Sequence, residues 1–175
     1  GDTFYNLNDA DGNSWSTCDG DILDSNIFAY PYAFDRIQDG LDQDMDEVDG
    51  RTMVGAGNGF SCVLDAQGTL SCFGDDTHGQ VTAAPAGKYR QLSVGEAHAC
   101  VVDLDDNVQC WGQDTSGKTS VPVDSLSYHL VSAGYEHSCG LDTLGDLYCW
   151  GDSASPPDES TYISLASGDN HACAI

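Results

Sequence analysis

Residues 132–151, SAGYEHSCGLDTLGDLYCWG, decide the fold of this chain. Two other stretches align with them position by position: residues 54–74 (VGAGNGFSCVLDAQGTLSCFG) and residues 93–112 (SVGEAHACVVDLDDNVQCWG). A fourth begins at residue 166 (ASGDNHACAI) and runs to the last residue of the chain. The shared glycine recurs after 38, 39 and 34 residues, at Gly57, Gly95, Gly134 and Gly168. A period of this length predicts tandem copies of one supersecondary unit.

Each copy has the sequence of a β-hairpin. In the third copy, residues 139–141 are predicted to form a short strand, residues 142–145 the turn and residues 146–150 the return strand. Within the turn, Asp142 can hydrogen-bond to the backbone and Gly145 accepts a positive φ. Three similar hairpins in succession therefore predict a repetitive β-structure.

The second copy is read with Asn107 at the position of Gly68 and Gly145. Asn tolerates the left-handed region better than most residues, so this reading agrees with a turn. Further strands are expected just before the shared glycine, over residues 90–94 and 130–133. The polar, Pro-containing segments 82–91 and 120–128 are expected to form loops.

The expected fold class is all-β, with tandem antiparallel hairpins or blades in a partial propeller or an open array. These repeats span residues 51–175, in copies at about 53–91, 92–130 and 131–165 and a partial copy at 166–175. Residues 1–50 are expected to form a separate, irregular and metal-organised segment, since they hold 12 Asp and one Glu against the single Arg36.

The charge of the chain limits its partners. There are 29 acidic and 5 basic residues, for a formal net charge of −24. Such a surface repels nucleic acid and anionic membranes, so we expect neither as a partner. No apolar run approaches the roughly 18 residues of a membrane span. The chain starts with Gly1 rather than Met, which is typical of a processed mature chain or a segment of a longer one.

Six of the eight cysteines form three pairs with one spacing. Cys62 and Cys72, Cys100 and Cys110, and Cys139 and Cys149 are each ten residues apart. A turn midway between two cysteines places them opposite each other across a hairpin, at about 4.5–5.5 Å between Cα atoms, which suits a disulfide. Zinc-binding or free thiols give no reason for this spacing to recur. Disulfides in turn predict an extracellular or cell-surface protein.

The other two cysteines, Cys18 and Cys173, are predicted to pair with each other. Cys173 holds the first-cysteine position of the partial copy, whose return strand is missing. Cys18 lies in WSTCDGD (residues 15–21), which is similar to LYCWGD (residues 147–152) and so looks like the second half of a repeat. The bond either closes one molecule or joins the tail of one copy to the head of the next, and the second arrangement grows a filament. A piece of a longer protein, whose following residues supply the partner, is the alternative.

The repeats resemble a known family. The pattern G-x-x-H-[SA]-C…G-x-[LV]-x-C-W-G over residues 53–175 is similar to the repeat of the regulator of chromosome condensation β-propellers, and most of all to their short, cysteine-bearing secreted bacterial versions. This resemblance implies blades of antiparallel strands and a protein-binding role. The family usually closes a ring of about seven blades, whereas this chain has at most four.

The N-terminal segment resembles a second family, the aspartate-rich metal-binding motif of secreted bacterial surface proteins (the MopE type). DADGN at residues 9–13 matches the motif's opening, D-x-D-G-D, and DGLDQDMD at residues 39–46 matches D-G-x-D-x-D-C-D. Met45 replaces the second cysteine of the motif, which leaves Cys18 free for Cys173. The resemblance implies a bound metal ion.

Calcium is the cofactor that these acidic residues predict, because it takes six to eight oxygen ligands from a flexible loop. Carboxylate and amide oxygens occur at alternate positions, as in the first half of a calcium loop, but the spacing is not that of an EF-hand. A solvated acidic tail is the alternative. The expected ligands are Asp9, Asp11, Asn13, Asp19, Asp21, Asp39, Asp42, Asp44, Asp46 and Asp49.

The sequence favours a protein without enzymatic activity. It contains no nucleophile–base pair within a catalytic motif and no phosphate-binding loop. His98, His137 and His171 share a repeat position with Phe60, which predicts packing plus a hydrogen bond there. Trp111 and Trp150 follow the second cysteine of their copies, as Phe73 does, and are also expected to pack.

Three hypotheses follow. The first is a calcium- and disulfide-stabilised extracellular structural subunit that forms a homopolymer head to tail. The second is a fragment of a secreted β-propeller that binds a protein or glycan ligand. The third, a carbohydrate-active enzyme, rests on carboxylate pairs that 29 acidic residues make inevitable.

Overall fold

The computed structural model describes residues 52–122, 127–152 and 161–175. The predicted segment 1–50 lies outside these residues. Eleven strands and one short 3-10 helix, Thr115–Gly117, make up the regular structure of the described part. The strands are β1 Met53–Ala56, β2 Phe60–Leu64, β3 Leu70–Gly74, β4 Tyr89–Val94, β5 His98–Asp103, β6 Val108–Gly112, β7 Tyr128–Ala133, β8 His137–Asp142, β9 Leu147–Gly151, β10 Leu165–Ser167 and β11 Ala172–Ala174.

The strands form four antiparallel sheets that follow the sequence repeats. Three sheets have three strands each: β1-β2-β3, β4-β5-β6 and β7-β8-β9, here called blades 1, 2 and 3. The fourth sheet, the partial blade, consists of β10 and β11. The prediction of an all-β fold with tandem antiparallel blades is therefore confirmed, as an open partial propeller.

One aspartate organises the hairpin turn of each full blade. The Oδ1 atom of Asp65 accepts hydrogen bonds from the backbone N–H groups of Gln67 (3.0 Å) and Thr69 (2.7 Å). Asp103 and Asp142 make the same two contacts in blades 2 and 3. This side chain satisfies backbone donors that the tight turn leaves without a ladder partner, which is why Asp recurs there.

The reading of Asn107 as the left-handed turn residue was wrong by one position. The residue with positive φ is Asp106, at 66°, which lies six residues after the first cysteine, as do Gly68 and Gly145. Asp tolerates this region because its short side chain hydrogen-bonds locally. Asn107 instead donates its side-chain amide to the carboxylate of Asp103.

The strands before the shared glycine are slightly longer than predicted. β4 begins at Tyr89 and β7 at Tyr128, so the C-terminal ends of the two predicted loops belong to strands. Both tyrosine side chains are buried between blades, with about 1 % of their surface exposed. Their burial explains why strand structure extends into these segments.

Disulfides join the second and third strands of each full blade. They link Cys62 to Cys72, Cys100 to Cys110 and Cys139 to Cys149, with Cα–Cα distances of 4.1, 4.1 and 4.0 Å. The cysteines of each pair face each other directly in the strand register. The spacing of ten residues thus has the structural meaning that the sequence suggested.

The blades stack face to face, and the burial of the middle strands shows it. In β2, alternate residues are buried and more exposed, as in a sheet with one covered face. In β5 and β8 nearly every residue is buried, so both faces are covered. One apolar cluster lies between blades 1 and 2, and another lies between blades 2 and 3.

The shared glycines let the turns of successive blades touch. A Cβ atom added to Gly134 would lie 2.6 Å from the carbonyl oxygen of Gly168 and 2.6 Å from Cε1 of His137. For a Cβ on Gly168 the three nearest atoms all belong to the ring of His171, at 2.9 Å or more. The glycine is therefore needed where a following blade exists.

We predict that Gly134→Ala destabilises the fold more than Gly168→Ala. The first change forces carbonyl and ring atoms apart and is expected to cost about 1–3 kcal/mol, as overpacked sites do. The second change places its methyl group against one exposed side chain, so its cost should be much smaller. Urea unfolding of both variants, followed by circular dichroism, measures the difference. Equal losses would contradict this account of the turn.

Candidate functional site

Tryptophan side chains bind each blade to the one before it. The indole N–H of Trp111, in blade 2, donates to the carbonyl oxygen of Gln80 at 2.8 Å. In blade 3, Trp150 donates to the carbonyl oxygen of Lys118 at 2.9 Å. Gln80 lies seven residues after Phe73, and Lys118 lies seven residues after Trp111. Both indoles are buried, so satisfying the N–H group is what permits their burial.

A histidine–serine pair adds a polar contact between blades 2 and 3. The Nε2 atom of His98 lies 2.8 Å from Oγ of Ser138, and that hydroxyl donates to the carbonyl oxygen of Lys118 at 2.9 Å. Burial lowers the pKa of His98 to about 4, and the nearby charge of Lys118 acts in the same direction. The histidine is therefore neutral at physiological pH and serves the interface as a hydrogen-bonding group.

The ammonium group of Lys118 is buried between blades 2 and 3 but is fully partnered. Its Nζ atom donates to Oε1 of Gln113 (3.1 Å), to the carbonyl oxygen of Tyr135 (3.0 Å) and to Oε2 of Glu136 (3.1 Å). The carboxylate of Glu136 is partly exposed and balances the charge. A buried lysine with three acceptors of this kind fixes the orientation of two blades.

Side chains also connect the first strands of blades 2 and 3. The amide of Gln91 accepts from the N–H group of Val131 (2.9 Å) and donates to the carbonyl oxygen of the same residue (2.8 Å). Arg90 forms an ion pair with Asp106 at 2.8 Å and donates to the carbonyl oxygens of Tyr128 and His129. The interface between blades 2 and 3 therefore combines an apolar centre with hydrogen bonds from one blade to the other.

No described strand packs on the face of blade 1 that points away from blade 2. Its apolar residues are Val54 (77 % exposed), Val63 (36 %) and Phe73 (61 %). The strand register places Val54 opposite Val63, and Phe73 opposite Ser61, on this face. In blade 2 the residues at these positions, Leu92, Val101 and Trp111, are buried against blade 1. We call Val54, Ser61, Val63 and Phe73 the head face.

The partial blade likewise has a face on which no described strand packs. Alternation along β11 directs Ala172 and Ala174 toward blade 3, so His171, Cys173 and Ile175 lie on the opposite side. All three are exposed, with Ile175 at 78 %. The residues at these positions in blade 1, Phe60, Cys62 and Leu64, are buried against blade 2. We call His171, Cys173 and Ile175 the tail face.

The residues predicted to hold calcium all lie outside the described part of the chain. This applies to Asp9, Asp11, Asn13, Asp19, Asp21, Asp39, Asp42, Asp44, Asp46 and Asp49. In the described ranges, no group of three or more His, Cys, Asp or Glu side chains is placed to hold a metal ion. Cys18 also lies outside, and Cys173 has no disulfide partner among the described residues. The calcium site and the Cys18–Cys173 bond therefore remain predictions.

The repeated histidines differ in their surroundings. His98 has its serine partner, whereas Nε2 of His137 is buried without a hydrogen bond in the described structure, and His171 is exposed. Burial also lowers the pKa of His137. The expected combination of packing and a hydrogen bond therefore holds for His98, while His137 has the packing.

A groove of about 540 Å³ lies beside blade 3 and the partial blade. Its lining includes His129, Leu144, Tyr162 and Ile163, together with Asp142. The Asp142 carboxylate already accepts two backbone N–H groups of its turn, so it serves the fold. Nothing in this lining has the arrangement of a nucleophile with its base.

Comparison with known proteins identifies the repeats. Residues 54–80, 89–118 and 129–155 match the sequence profile of the regulator of chromosome condensation (RCC1) repeat. Three stretches of this chain are therefore similar to the RCC1 repeat. They coincide with blades 1, 2 and 3, which confirms the resemblance seen in the sequence. No curated protein sequence matches the chain.

Solved structures share the fold of these RCC1 repeats. The ectodomain of the Physcomitrella patens receptor kinase CR4 is 28 % identical over 73 % of this chain and 36 % of its own, with a TM-score of 0.62. The ectodomain of the Arabidopsis thaliana receptor kinase ACR4 is 25 % identical over 73 % and 46 %, with a TM-score of 0.58. Prp20p from Saccharomyces cerevisiae, characterised for its binding to Gsp1p and histones, is 16 % identical over 85 % and 50 %, with a TM-score of 0.61. The chain thus spans between about a third and a half of these structures.

Sequence reasoning missed the residues that join the blades through polar contacts. Lys118, Gln80, Gln91 and Arg90 lie in loops or strand starts, and their partners are roughly 30–40 residues away along the chain. One signal was available, since Gln80 and Lys118 hold the same distance from the aromatic residue after the second cysteine. In the part of the chain that the structure describes, no helix is suited to crossing a membrane.

We predict that lowering the pH from 6.5 to 4 weakens the contact between blades 2 and 3. This range lies above the pH at which the carboxylates become protonated. The folded pKa of His98, about 4, lies below its ordinary 6.5, so the unfolded chain binds the extra proton first as the pH falls. Up to about 3 kcal/mol of stability is therefore present above pH 6.5 and is lost between pH 6.5 and 4. Asp65, Asp75, Asp76 and Asp114 have pKa values lowered from 3.8 by hydrogen bonds, so their loss falls at lower pH.

The variant His98→Phe tests this assignment, because blade 1 has Phe60 at the same position. Ser138 keeps its bond to the carbonyl oxygen of Lys118, so the change leaves that hydroxyl with a partner. The slope of stability against pH, measured by urea unfolding between pH 6.5 and 4, should become markedly smaller. An unchanged slope would assign the acid sensitivity to other groups.

Proposed function

We propose that this chain is an extracellular, non-enzymatic structural module that binds protein partners through its RCC1-type blades. The protein-binding role is supported by the shared fold, which includes the ectodomains of two plant receptor kinases and Prp20p with its protein partners. An extracellular setting is supported by the three disulfides, since such bonds persist in oxidising compartments.

The absence of a catalytic role is supported by what the polar side chains of the blades do. The turn aspartates accept backbone N–H groups, and His98, Gln91 and Lys118 connect neighbouring blades. Each of these groups makes hydrogen bonds that hold the fold together. The titratable residues also recur with the repeat, which spreads them along the array instead of gathering them at one point.

The finer part of the proposal is head-to-tail assembly of copies into a filament or surface layer. The observation that carries it is the position of Cys173 on β11. Its equivalents Cys62, Cys100 and Cys139 are all bonded to a third strand, whereas β11 pairs with β10 and with no other described strand. Cys18, in a sequence similar to that of a third strand, would supply both the strand and the sulfur atom from a neighbouring copy.

A second candidate function is that of one part of a larger propeller that binds a protein or glycan. The coverage of the similar structures, 36 % to 50 % of their length, favours it. In that case a further blade of the same polypeptide would cover the tail face. The two candidates differ in whether the 175-residue chain associates with itself.

Calcium is proposed to bind the aspartates of residues 9–49 and to neutralise their charge. The support is electrostatic: the first 50 residues hold 13 acidic residues against one arginine, and such a density repels itself unless cations are bound. A cation at this segment would also bring Cys18 into a defined position.

We predict that the purified chain forms disulfide-linked species larger than a monomer, and that Cys173→Ser abolishes them. Non-reducing electrophoresis and mass mapping of the cross-linked peptides detect the bond. Cys18→Ser should have the same effect, because both variants remove one half of the same disulfide. A cross-linked ladder that persists in both variants would contradict this pairing, and a monomeric oxidised chain would favour the larger-propeller candidate.

We predict that calcium removal unfolds the N-terminal segment and leaves the blades folded. Titration of calcium into the chelated protein, followed by isothermal calorimetry, should show binding that Asp9→Asn and Asp11→Asn weaken by roughly tenfold or more, since each removes a charged ligand. Far-ultraviolet circular dichroism of the blades should change little. If these variants bind calcium with the same heat and affinity as the original chain, the proposed ligand set is wrong. The exposed Asp105→Asn, at a turn of blade 2, is the matched control.

A further inference from the structure

We propose that the head face of one copy docks on the tail face of a second copy, with His171 of one copy hydrogen-bonded to Ser61 of the other. This rests on the proposed head-to-tail assembly and adds a non-covalent contact that is distinct from the Cys18–Cys173 bond. The partner is a second copy of this chain, because the repeat itself provides the template for the contact.

The two end faces are the two halves of an interface that already occurs inside the chain. Phe60, Cys62 and Leu64 of blade 1 pack against the apolar face of blade 2. His171, Cys173 and Ile175 occupy the same positions in the partial blade, and Val54, Val63 and Phe73 occupy the same positions as the blade 2 residues. A second copy placed by the rotation that relates successive blades therefore brings the tail face onto the head face.

The residues at one repeat position meet a different partner at each interface. Blades 1 and 2 combine Phe60 with Ala99, and both belong to one apolar cluster. Blades 2 and 3 combine His98 with Ser138, at 2.8 Å. Blade 3 and the partial blade have His137 and Ala172 at these positions, and Nε2 of His137 has no hydrogen bond in the described structure. Of these three pairs, the one that combines a histidine with a hydroxyl is hydrogen-bonded.

Ser61 is the polar residue of the head face. It holds the position of Ala99 and Ser138 but lies on the head face, where no blade of the described chain covers it. His171 holds the position of His98 and lies exposed on the tail face. Joining the two faces places this histidine against this serine, and so reproduces the His98–Ser138 pair between copies.

Two further features of the ends agree with this contact. The carbonyl oxygen of Gly168 lies 2.6 Å from a Cβ placed on Gly134, whereas the three atoms nearest to a Cβ on Gly168 belong to the ring of His171 and to no further turn. In the head face, Phe73 replaces the tryptophan of blades 2 and 3. Phenylalanine has no N–H group, so it can be buried without the carbonyl acceptor that Trp111 and Trp150 require.

The first test places a charge in the head face. Phe73→Asp buries a carboxylate in the contact and is expected to weaken association of the intact chain at least tenfold, measured by sedimentation velocity over a range of concentrations. Because Phe73 is exposed in the single chain, the variant should stay folded, and circular dichroism checks this. Val54→Asp is a second variant on the same face. Leu144→Asp, an equally exposed residue away from both end faces, should leave association unchanged.

The second test is a rescue experiment. Ser61→Ala and His171→Phe each break the pair and are expected to weaken association by about fivefold to tenfold. The double variant combines a phenylalanine with an alanine, as blades 1 and 2 do, and should associate nearly as well as the original chain. Mixing the two single variants creates one contact of this kind, in which the tail face of the His171→Phe variant meets the head face of the Ser61→Ala variant. We expect the same recovery of association for that contact. A general structural defect would add up in the double variant instead of cancelling.

The outcomes separate this inference from the proposed assembly. If the intact chain associates and neither face variant nor rescue pair has an effect, the end-face contact is overturned while disulfide-linked assembly stands. If the oxidised chain is monomeric at all concentrations, assembly itself is overturned, and the end faces with it. In the Cys173→Ser background, association that Phe73→Asp still weakens supports the end-face contact independently of the covalent bond.

Discussion

The structure depends on one constraint, which is that a three-stranded sheet of this kind has two apolar faces and can cover neither by itself. Blades 1, 2 and 3 solve it by stacking, so that each interface buries one face from each partner. The middle strands record the result, since β5 and β8 are buried on both sides whereas β2 is buried on one. Val54 and Phe73 are exposed for the same reason, because no described blade packs on that face of blade 1.

Each blade is small, so local restraints contribute to its stability along with the packing between blades. The three disulfides span ten residues and, in the entropic view of such bonds, contribute about 2.5–3 kcal/mol each by restricting the unfolded chain. The turn aspartates act at the same hairpins and satisfy two backbone donors apiece. The hairpins are thus restrained within each blade, and the packing between blades sets how the blades are arranged.

The sequence predicted what lies within one repeat and missed what lies between repeats. Cysteine spacing and turn residues are local signals, so the hairpins and the three disulfide pairs could be predicted from them. The left-handed residue was placed at Asn107 instead of Asp106 because both residue types suit a turn, and only counting from the first cysteine distinguishes them. The bonds of Trp150 to Lys118 and of His98 to Ser138 join residues 32 and 40 positions apart, and no local pattern specifies them.

The His98–Ser138 pair gives the interface between blades 2 and 3 a means of recognising its proper neighbour. His98 against an alanine would lose its hydrogen bond in a buried site, so replacing blade 3 by a blade with alanine at the position of Ser138 costs energy. The net charge of −24 strengthens this selectivity, because copies repel each other unless a specific contact or bound cations offset the repulsion. The proposed association of such a chain would therefore have to be selective, and each end face offers apolar residues beside one histidine or one serine for it.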